Sequence, residues 1–329
     1  GKIHILIGTH AVFQSGVHFL DLRLAIIDEQ HRFGVRQRLA LGEKGQSVDV
    51  LVMTATPIPR SLALSQYGEM DLTVLTDKPA GRKPVKTVII SDNRVNEIVL
   101  KLKKAIDKKN QAYWVCPLIE ESEVLDYTAA EDRFKALRAN LGEGEVGLVH
   151  GQMNSDEKDE VMKKFSEGEI KVLVSTTVIE VGVDVPSANI IVIEHAEKFG
   201  LAQLHQLRGR VGRGTSESSC ILLYKAPLSE NGERRLSILR ETEDGFKIAE
   251  LDLQMRGAGD MIGTAQSGLP RFRIAYIYHQ EHLIDIAQKD ARVLLEKDPT
   301  LRLTKKGNAS RNLLWLMGQE QAFRLLSVG

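Results

Sequence analysis

The sequence lacks several patterns by which enzymes and secreted proteins are usually recognised. Two motifs are missing, the phosphate-binding loop G-x-x-x-x-G-K-[ST] and the nucleophile turn G-x-S-x-G. The two cysteines, Cys116 and Cys220, lie far apart and outside any C-x-x-C pattern, so neither a disulfide framework nor a zinc site is indicated. No apolar run approaches the ~18 residues of a membrane span, and the short N-terminal run is not that of a signal peptide. These absences predict a cytoplasmic protein with reduced cysteines and without a membrane segment.

Charge of either sign is not in excess. The chain has 44 Lys and Arg residues against 44 Asp and Glu residues, so its formal net charge is zero. A global basic field, which would indicate a nucleic-acid partner, is therefore absent, although a neutral protein can still carry a local basic groove.

Strand and helix patterns alternate over most of the 329 residues, which is typical of parallel α/β sheets. We divide the chain into residues 1–83, 84–225 and 226–329, the last of which turns helical. The first segment is too short for a whole domain of this type, so part of its sheet is expected to be missing. Helices are predicted at Asn93–Lys108 and at Ser155–Ser166, the latter with Ser155 as N-cap. The predicted strands are Ile3–Ile7, Leu24–Ile27, Val50–Met53, Val85–Ile90, Gln111–Cys116, Val146–His150, Val172–Ser175, Ile190–Ile193 and Cys220–Leu223.

An acidic pair, Asp28-Glu29, directly follows the apolar run 22–27. Ligands of open α/β sheets bind at the carboxyl ends of strands. There, Asp28 suits Mg²⁺ held through water, and Glu29 suits the orientation or deprotonation of an attacking water. Taken alone, a strand followed by a capping turn explains these two residues equally well.

Two small hydroxyl residues and two prolines follow the next strand, in the run VLVMTATPIPR at 50–60. Thr54 and Thr56 can hydrogen-bond carboxylates on the neighbouring strand. As an isolated pattern, the run is better explained by a turn in which Thr56 caps a helix that begins near Pro57.

The run VLVSTTVIEVGVDVP, at 172–186, joins a strand to a helical turn and a loop. Thr176 and Thr177 would lie at a helix N-terminus, where amides and hydroxyls bind phosphate oxygens. Asp184 can bond a ribose hydroxyl or an arginine, or it can simply be the turn residue before Pro186.

Three arginines separated by glycines, Arg208, Arg210 and Arg213, lie in the run QLHQLRGRVGRG at 203–214, which is predicted to be helical. Arginine presents a planar fork of donors that suits phosphate. A solvated basic helix explains the arginines but not the glycines, because each glycine inside a helix costs about 1 kcal/mol against alanine. The glycines therefore indicate close backbone approach or a strained helix end. Thr9 and the His150-Gly151 turn also follow strand patterns, where a phosphate contact and a plain loop are equally good explanations.

In this order and spacing the motifs resemble those of helicase superfamily two. DEQH is similar to motif II, TATP to motif III, STTVIEVGVDVP to motif V and QLRGRVGR to motif VI. Gly8-Thr9 is similar to motif Ib and the His150 turn to motif IVa. The resemblance covers nearly all of residues 8–214, and the combination is specific where the single motifs are not.

Further segments resemble one group within that superfamily, the RecG-type helicases, which are bacterial ATP-dependent DNA helicases. These segments are DEQHRFGVRQR, TATPIPR, 243–253 and 256–268. The last is similar to a translocation motif that RecG shares with the transcription-repair coupling factor, in which a helical hairpin and loop couple motif VI to movement along duplex DNA. The coupling factor is the alternative, although it usually carries DEEQRFG where this chain has DEQHRFG.

The resemblance implies tandem RecA-like P-loop NTPase domains with a helical C-terminal extension. The first domain, 1–83, would be truncated; the second, 84–225, complete; and 226–329 would hold the hairpin. ATP and Mg²⁺ are the implied cofactors, and branched duplex DNA, such as forks and Holliday junctions, is the implied partner. An N-terminal wedge domain and the phosphate-loop segment are missing from this sequence. The implied location is the bacterial cytoplasm, at the nucleoid.

The family's functional residues map onto the matching positions. By the resemblance, Asp28 and Glu29 are the metal-binding and water-activating carboxylates, and Arg210 and Arg213 are the arginine fingers. Further nucleotide contacts are Thr54, Gly182, Asp184 and Gln206. Residues of the DNA contacts or of the coupling are Thr9, His31, Thr56, His150, Gly151, Thr176, Thr177, Arg256 and Gln266.

These implications lead to the hypothesis of a helicase or translocase motor that remodels stalled forks and recombination intermediates. Without a phosphate loop, the 329 residues alone are expected not to hydrolyse ATP. The alternatives are the corresponding motor of a coupling factor and a non-catalytic DNA-binding fragment. A generic phosphate-binding enzyme has no other catalytic set in the sequence to support it.

Overall fold

The computed structural model describes residues 3–14, 16–29, 44–45, 48–55, 71, 73–75, 77, 81–117, 123–176, 185–256 and 281–317. The chain divides into two compact units, one formed by 1–57 with 78–252 and the other by 58–77 with 253–329. No helix among the described residues is both long enough and apolar enough to cross a membrane.

The first sheet within the described part of the chain pairs two parallel strands, β1 (Leu24–Ile27) and β2 (Asp49–Val52). Ala25 and Ile27 are buried on one side of β1, as the two-residue period of a strand requires. The prediction of a further strand at Ile3–Ile7 is wrong, because these residues pair with no strand in the described part of the chain and their side chains are exposed. An apolar β-rich run becomes a strand only where a neighbouring strand accepts its backbone hydrogen bonds.

The second sheet has six parallel strands in the order β3-β8-β7-β4-β6-β5. Its strands are β3 (Val85–Ser91), β4 (Gln111–Val115), β5 (Val146–Val149), β6 (Val172–Ser175), β7 (Ala188–Ile193) and β8 (Ser218–Tyr224). All six overlap the strands predicted from apolar runs. The central strand β4 is buried at every residue, as expected for a parallel sheet covered on both faces.

Eight α-helices are described. They are α1 (Val95–Ile106), α2 (Glu123–Leu141), α3 (Ser155–Ser166), α4 (Leu201–Arg208), α5 (Glu230–Glu241), α6 (Gly245–Arg256), α7 (Glu281–Lys297) and α8 (Lys305–Leu316). The predicted N-cap of α3 is wrong by one residue, because Asn154 rather than Ser155 caps it. Asn154 accepts from the Glu157 N–H at 2.8 Å, and the Glu157 carboxylate accepts from the Asn154 N–H at 3.2 Å.

Side chains of β4 reach the cores on both faces of the six-stranded sheet. Trp114 packs in a cluster with α1 and α2, whose buried members include Ile98, Leu102 and Leu137. Its neighbour Tyr113 packs instead against Phe165 of α3, with ring centroids 5.1 Å apart. The parallel sheet with helices, followed by a helical C-terminal region, confirms the predicted fold class.

In the second unit, the Asp298 side chain caps the turn that joins α7 to α8. Its carboxylate accepts from the N–H groups of Arg302, Leu303 and Thr304 at 2.8–2.9 Å, and from the Thr304 hydroxyl at 3.0 Å. Burial disfavours the charged carboxylate, but these hydrogen bonds outweigh burial and hold the pKa of Asp298 at about 2.

Candidate functional site

The acidic pair lies at the carboxyl end of the two-stranded sheet. Asp28 and Glu29 directly follow β1, and Thr54 lies two residues after β2. The pairing continues one step beyond β2, where the Met53 N–H donates to the Ile27 carbonyl at 2.8 Å. Because parallel strands end at the same edge of a sheet, Asp28 and Thr54 both lie at the carboxyl edge of this one.

The chain turns sharply at the acidic pair. Glu29 has φ +51°, in the left-handed region that residues with a Cβ rarely adopt. The Asp28 carboxylate accepts a hydrogen bond from the Glu29 N–H at 2.9 Å, which stabilises this turn. The turn leaves Asp28 exposed and Glu29 partly buried. Left-handed residues of this kind occur often at functional sites.

These side chains have the right chemistry for Mg²⁺. The exposed Asp28 carboxylate offers oxygen ligands, which Mg²⁺ prefers. The described part of the chain contains no group of three or more His, Cys, Asp or Glu residues that could hold a metal ion. Asp28 and Glu29 supply two carboxylates, and Mg²⁺ is usually held by one or two carboxylates together with substrate phosphates and water.

The arginine-rich run begins as helix α4 and ends as a turn. Helix α4 stops at Arg208, and Gly209 is its C-cap. The prediction that the helix continues through the run is therefore wrong, whereas a helix end was one of the two explanations offered for the glycines. Two further turn bonds follow, from the Arg210 N–H to Leu207 at 3.0 Å and from the Val211 N–H to Arg208 at 3.2 Å.

Gly212 is required by the conformation of this turn. It has φ +78°, and a Cβ added to it would lie 2.7 Å from Cγ2 of Val85, at the start of β3. The Gly212 backbone therefore packs closely against Val85, and with the buried Val211 it holds the turn against the second sheet. Arg210 is left partly exposed and Arg213 exposed, on either side of the buried pair. Gln206, on the last turn of α4, is also partly exposed.

The first arginine of the run, Arg208, is buried in the protein, although the sequence grouped it with the phosphate-binding arginines. Its guanidinium donates to the backbone carbonyls of Leu239 and Thr242 at the end of α5, the latter at 2.9 Å. Burial lowers its pKa from the ordinary value of arginine. Arg208 therefore links α4 to α5 and is unavailable to an external phosphate.

Several predicted DNA contacts lie near strand ends. His150 and Gly151 follow β5 and are partly buried and exposed, respectively, and Lys158 donates to the Gly151 carbonyl at 3.0 Å. Thr176 follows β6 and is buried, and within the described residues its hydroxyl has no hydrogen-bond partner. Thr9 is the residue before the short 3-10 helix His10–Phe13 and makes no side-chain capping hydrogen bond, and it does not join a strand to a helix. The structure does not bring Thr9 into the six-stranded sheet.

The remaining predicted residues are outside what the structure describes. Arg256 ends α6, but only its backbone is described. The residues not described at all are His31, Thr56, Thr177, Gly182, Asp184 and Gln266.

One polar cluster at the carboxyl edge of the second sheet was not predicted. Glu194 follows β7, and its carboxylate accepts hydrogen bonds from the Trp114 indole and the Arg133 guanidinium. The Arg133 guanidinium also lies over the Trp114 ring, 5.4 Å from its centroid. The available signal was Glu194-His195 directly after an apolar strand, the same pattern as Asp28-Glu29. The partners are distant in sequence, so no local pattern could identify them.

Two family models match the chain. One describes the helicase conserved C-terminal domain and matches 94–215; the other describes domain 3, C-terminal, of the ATP-dependent DNA helicase RecG and matches 242–319. Curated relatives include RecG of Pasteurella multocida (strain Pm70), 50% identical over 304 residues, and RecG of Escherichia coli (strain K12), 52% identical over 304 residues. Each alignment covers 91% of this chain and 44% of the relative.

A solved structure of RecG bound to a three-way DNA junction has a similar fold. It is 47% identical, with a TM-score of 0.65, and the match covers 85% of this chain and 36% of that one. The chain spans less than half the length of the curated relatives named above. Its resemblance to RecG-type helicases, predicted from the motifs, is confirmed.

Proposed function

We propose that this chain, which is RecG-like over nine-tenths of its length, is part of the motor of an ATP-dependent DNA helicase or translocase. The motor would couple ATP hydrolysis to movement along duplex DNA and thereby remodel stalled replication forks and branched recombination intermediates. The observation that carries this proposal is the similarity to RecG at about half of all positions, which extends through 242–319 beyond the general helicase domain.

The nucleotide would be held by two groups of residues, one at the strand ends of the first sheet and one on the turn that follows α4. Asp28 would bind Mg²⁺ through water, Glu29 would orient or deprotonate the attacking water, and Thr54 would support them. Bound Mg²⁺ would supply charge neutralisation at the phosphates. Arg210 and Arg213 would stabilise charge that develops on the transferred phosphoryl group. The left-handed turn at Glu29 and the close packing of Gly212 against Val85 support these roles. The first fixes the backbone at the acidic pair, and the second fixes it between the two arginines. Gly182, Asp184 and Gln206 complete the proposed nucleotide contacts.

The protein would bind DNA mainly through its phosphates. The proposed contacts lie in both α/β segments and in the C-terminal segment, with Arg256 and Gln266 coupling motif VI to DNA movement. The proposed set of direct contacts is Thr9, His31, Thr56, His150, Gly151, Thr176 and Thr177. The segments 1–83, 84–225 and 226–329 would then be a partial first motor domain, a second motor domain and the translocation region. The proposed location is the bacterial nucleoid.

The test is DNA-stimulated ATP hydrolysis on a branched duplex, measured for the full-length protein and for the 329 residues alone. In the full-length protein, Glu29→Gln is expected to lower the rate at least about a hundredfold, since it removes a general base. The matched control is Glu143→Gln, which makes the same change at an exposed carboxylate on the α2–β5 turn.

Equal rates for Glu29→Gln and the unsubstituted full-length protein would contradict the role given to Glu29. The 329 residues alone are expected to be inactive, because no phosphate loop is present in the sequence. ATP hydrolysis by these residues, abolished by Glu29→Gln, would mean that unrecognised residues bind the phosphates.

A further inference from the structure

The C-terminal half of α1 and the turn after it carry an excess of positive charge. Lysines occupy five of the nine positions from 101 to 109, against one acid, Asp107. All five side chains are exposed. We call Lys101, Lys103, Lys104, Lys108 and Lys109 the α1 lysine patch. The excess is local, because the whole chain has no net charge.

Three lysines elsewhere on this domain are paired with acids, whereas no ion pair with a described residue is found in the patch. On α3, Lys163 and Lys164 lie 3.9 and 2.6 Å from the carboxylates of Glu167 and Glu160. In the described part of the chain, no member of the patch lies within ion-pair distance of an acid. Glu97, one turn before Lys101, is already bound to Arg94 at 2.7 Å. Apart from an electrostatic interaction between Lys101 and Glu97, the patch therefore presents charge that no described acid neutralises.

A second observation concerns the backbone. Lys109 has φ +65°, the left-handed conformation that commonly ends a helix and that glycine adopts without strain. Its N–H donates to the Ile106 carbonyl at 2.8 Å, so it closes the helix end. A lysine at such a position is strained relative to glycine, and strained residues that persist often have a role in function. At this position the side chain adds a fifth positive charge to the patch.

The patch lies at the opposite edge of the six-stranded sheet from two of the proposed DNA groups, His150 and Thr176. Helix α1 leads into β4 at Gln111, so its last residues lie at the amino edge. The proposed contacts His150 and Thr176 follow β5 and β6 at the carboxyl edge. A strand of five residues separates the two edges by more than about 10 Å.

We propose that the α1 lysine patch is an additional DNA site that binds the phosphate backbone of a second stretch of the branched substrate. This rests on the proposed function. Duplex DNA carries one negative charge per ~1.7 Å along its axis, so a row of flexible, unpaired lysines meets phosphates in any register and without sequence preference. Such an arrangement favours DNA over an acidic protein segment, which usually needs defined side-chain geometry as well as charge.

The test compares two double variants of the full-length protein, Lys104→Gln with Lys108→Gln in the patch and Lys163→Gln with Lys164→Gln on α3. Both remove two positive charges, but only the first removes unpaired ones. Binding of a forked duplex is measured by fluorescence anisotropy at several salt concentrations. The patch variant is expected to lower the slope of log affinity against log salt by about 1.8, because each phosphate that a lysine no longer neutralises lowers it by about 0.9. The α3 variant is expected to leave the slope unchanged.

The results separate this inference from the proposed function. An unchanged slope in the patch variant, with salt-dependent binding intact, would overturn the patch as a DNA site and leave the motor proposal standing. Equal losses in both variants would show a general charge effect and would also overturn it. Loss of binding to a poly-glutamate probe, with fork binding unchanged, would assign the patch to an acidic protein instead. If the unsubstituted protein did not bind forked DNA, both proposals would fall.

Discussion

Gln111 is expected to be the most sensitive polar residue in the core of the second sheet. It begins β4 and is 2% exposed. Its amide nitrogen donates to the backbone carbonyls of Phe165 and Ile170, at 2.6 and 2.7 Å, and its amide oxygen accepts from the Ser187 hydroxyl. One side chain thereby ties the end of α3 and the start of β7 to the central strand.

We predict that Gln111→Leu lowers the free energy of unfolding by about 2–4 kcal/mol. Each hydrogen bond contributes about 1 kcal/mol net, and a buried polar group left without a partner costs about 1–3 kcal/mol. The Phe165 carbonyl keeps another donor, the Gly168 N–H at 3.1 Å, so most of the cost falls on Ile170 and Ser187. The similar size of leucine limits any cavity term.

The assay is urea unfolding followed by tryptophan fluorescence. The chain has two tryptophans, of which Trp114 is fully buried in this domain and Trp315 is 63% exposed. Trp114 therefore reports on the sheet that Gln111 supports. The control is Asn140→Ala, which removes an amide that donates to Ala136 on the exposed surface of α2 and is expected to cost less than about 0.5 kcal/mol. A loss below about 1 kcal/mol for Gln111→Leu would refute the reasoning.

Two further substitutions test the turns. Gly212→Ala combines a left-handed φ with a Cβ only 2.7 Å from Val85, so it is expected to lower the free energy of unfolding by about 2–5 kcal/mol. The control is Gly144→Ala, where a Cβ would meet no atom within 4 Å. Equal stability of the two variants would contradict the proposed packing. Asp298 has a folded pKa of about 2, below its ordinary 3.8, so the stability it contributes is present above about pH 4 and lost as the pH falls toward 2. Asp298→Ala should abolish this part of the pH dependence of thermal unfolding, and an unchanged profile would show that the carboxylate does not stabilise the turn.

Sequence patterns predicted the elements that depend on neighbouring residues. The six strands of the second sheet were predicted because short, β-branched apolar runs such as 172–175 are typical of buried strands. The exceptions have local causes. Ile3–Ile7 has the composition of a strand but lacks a partner strand among the described residues. Asn154 and Ser155 are both good caps, and composition cannot choose between them.

The site could be predicted only as a set of motifs. Asp28 and Glu29 were predicted to follow a strand and do so. That Glu29 would adopt a left-handed turn was not predictable, because such strain depends on surrounding structure. The roles assigned to these residues, and to Arg210 and Arg213, remain predictions.

The sequence by itself determined the class of fold and the resemblance to RecG-type helicases, because periodicity and motif spacing are properties of the chain alone. Only the tertiary structure decided which of three adjacent arginines is internal. Arg208, Arg210 and Arg213 share the same chemistry, but helix α4 turns Arg208 toward the carbonyls that end α5 and the following turn exposes Arg213. It also decided that Lys163 and Lys164 of α3 pair with acids, whereas the α1 lysine patch forms no ion pair with a described residue. Both outcomes depend on contacts between side chains and on how helices are placed, and such contacts form only after folding.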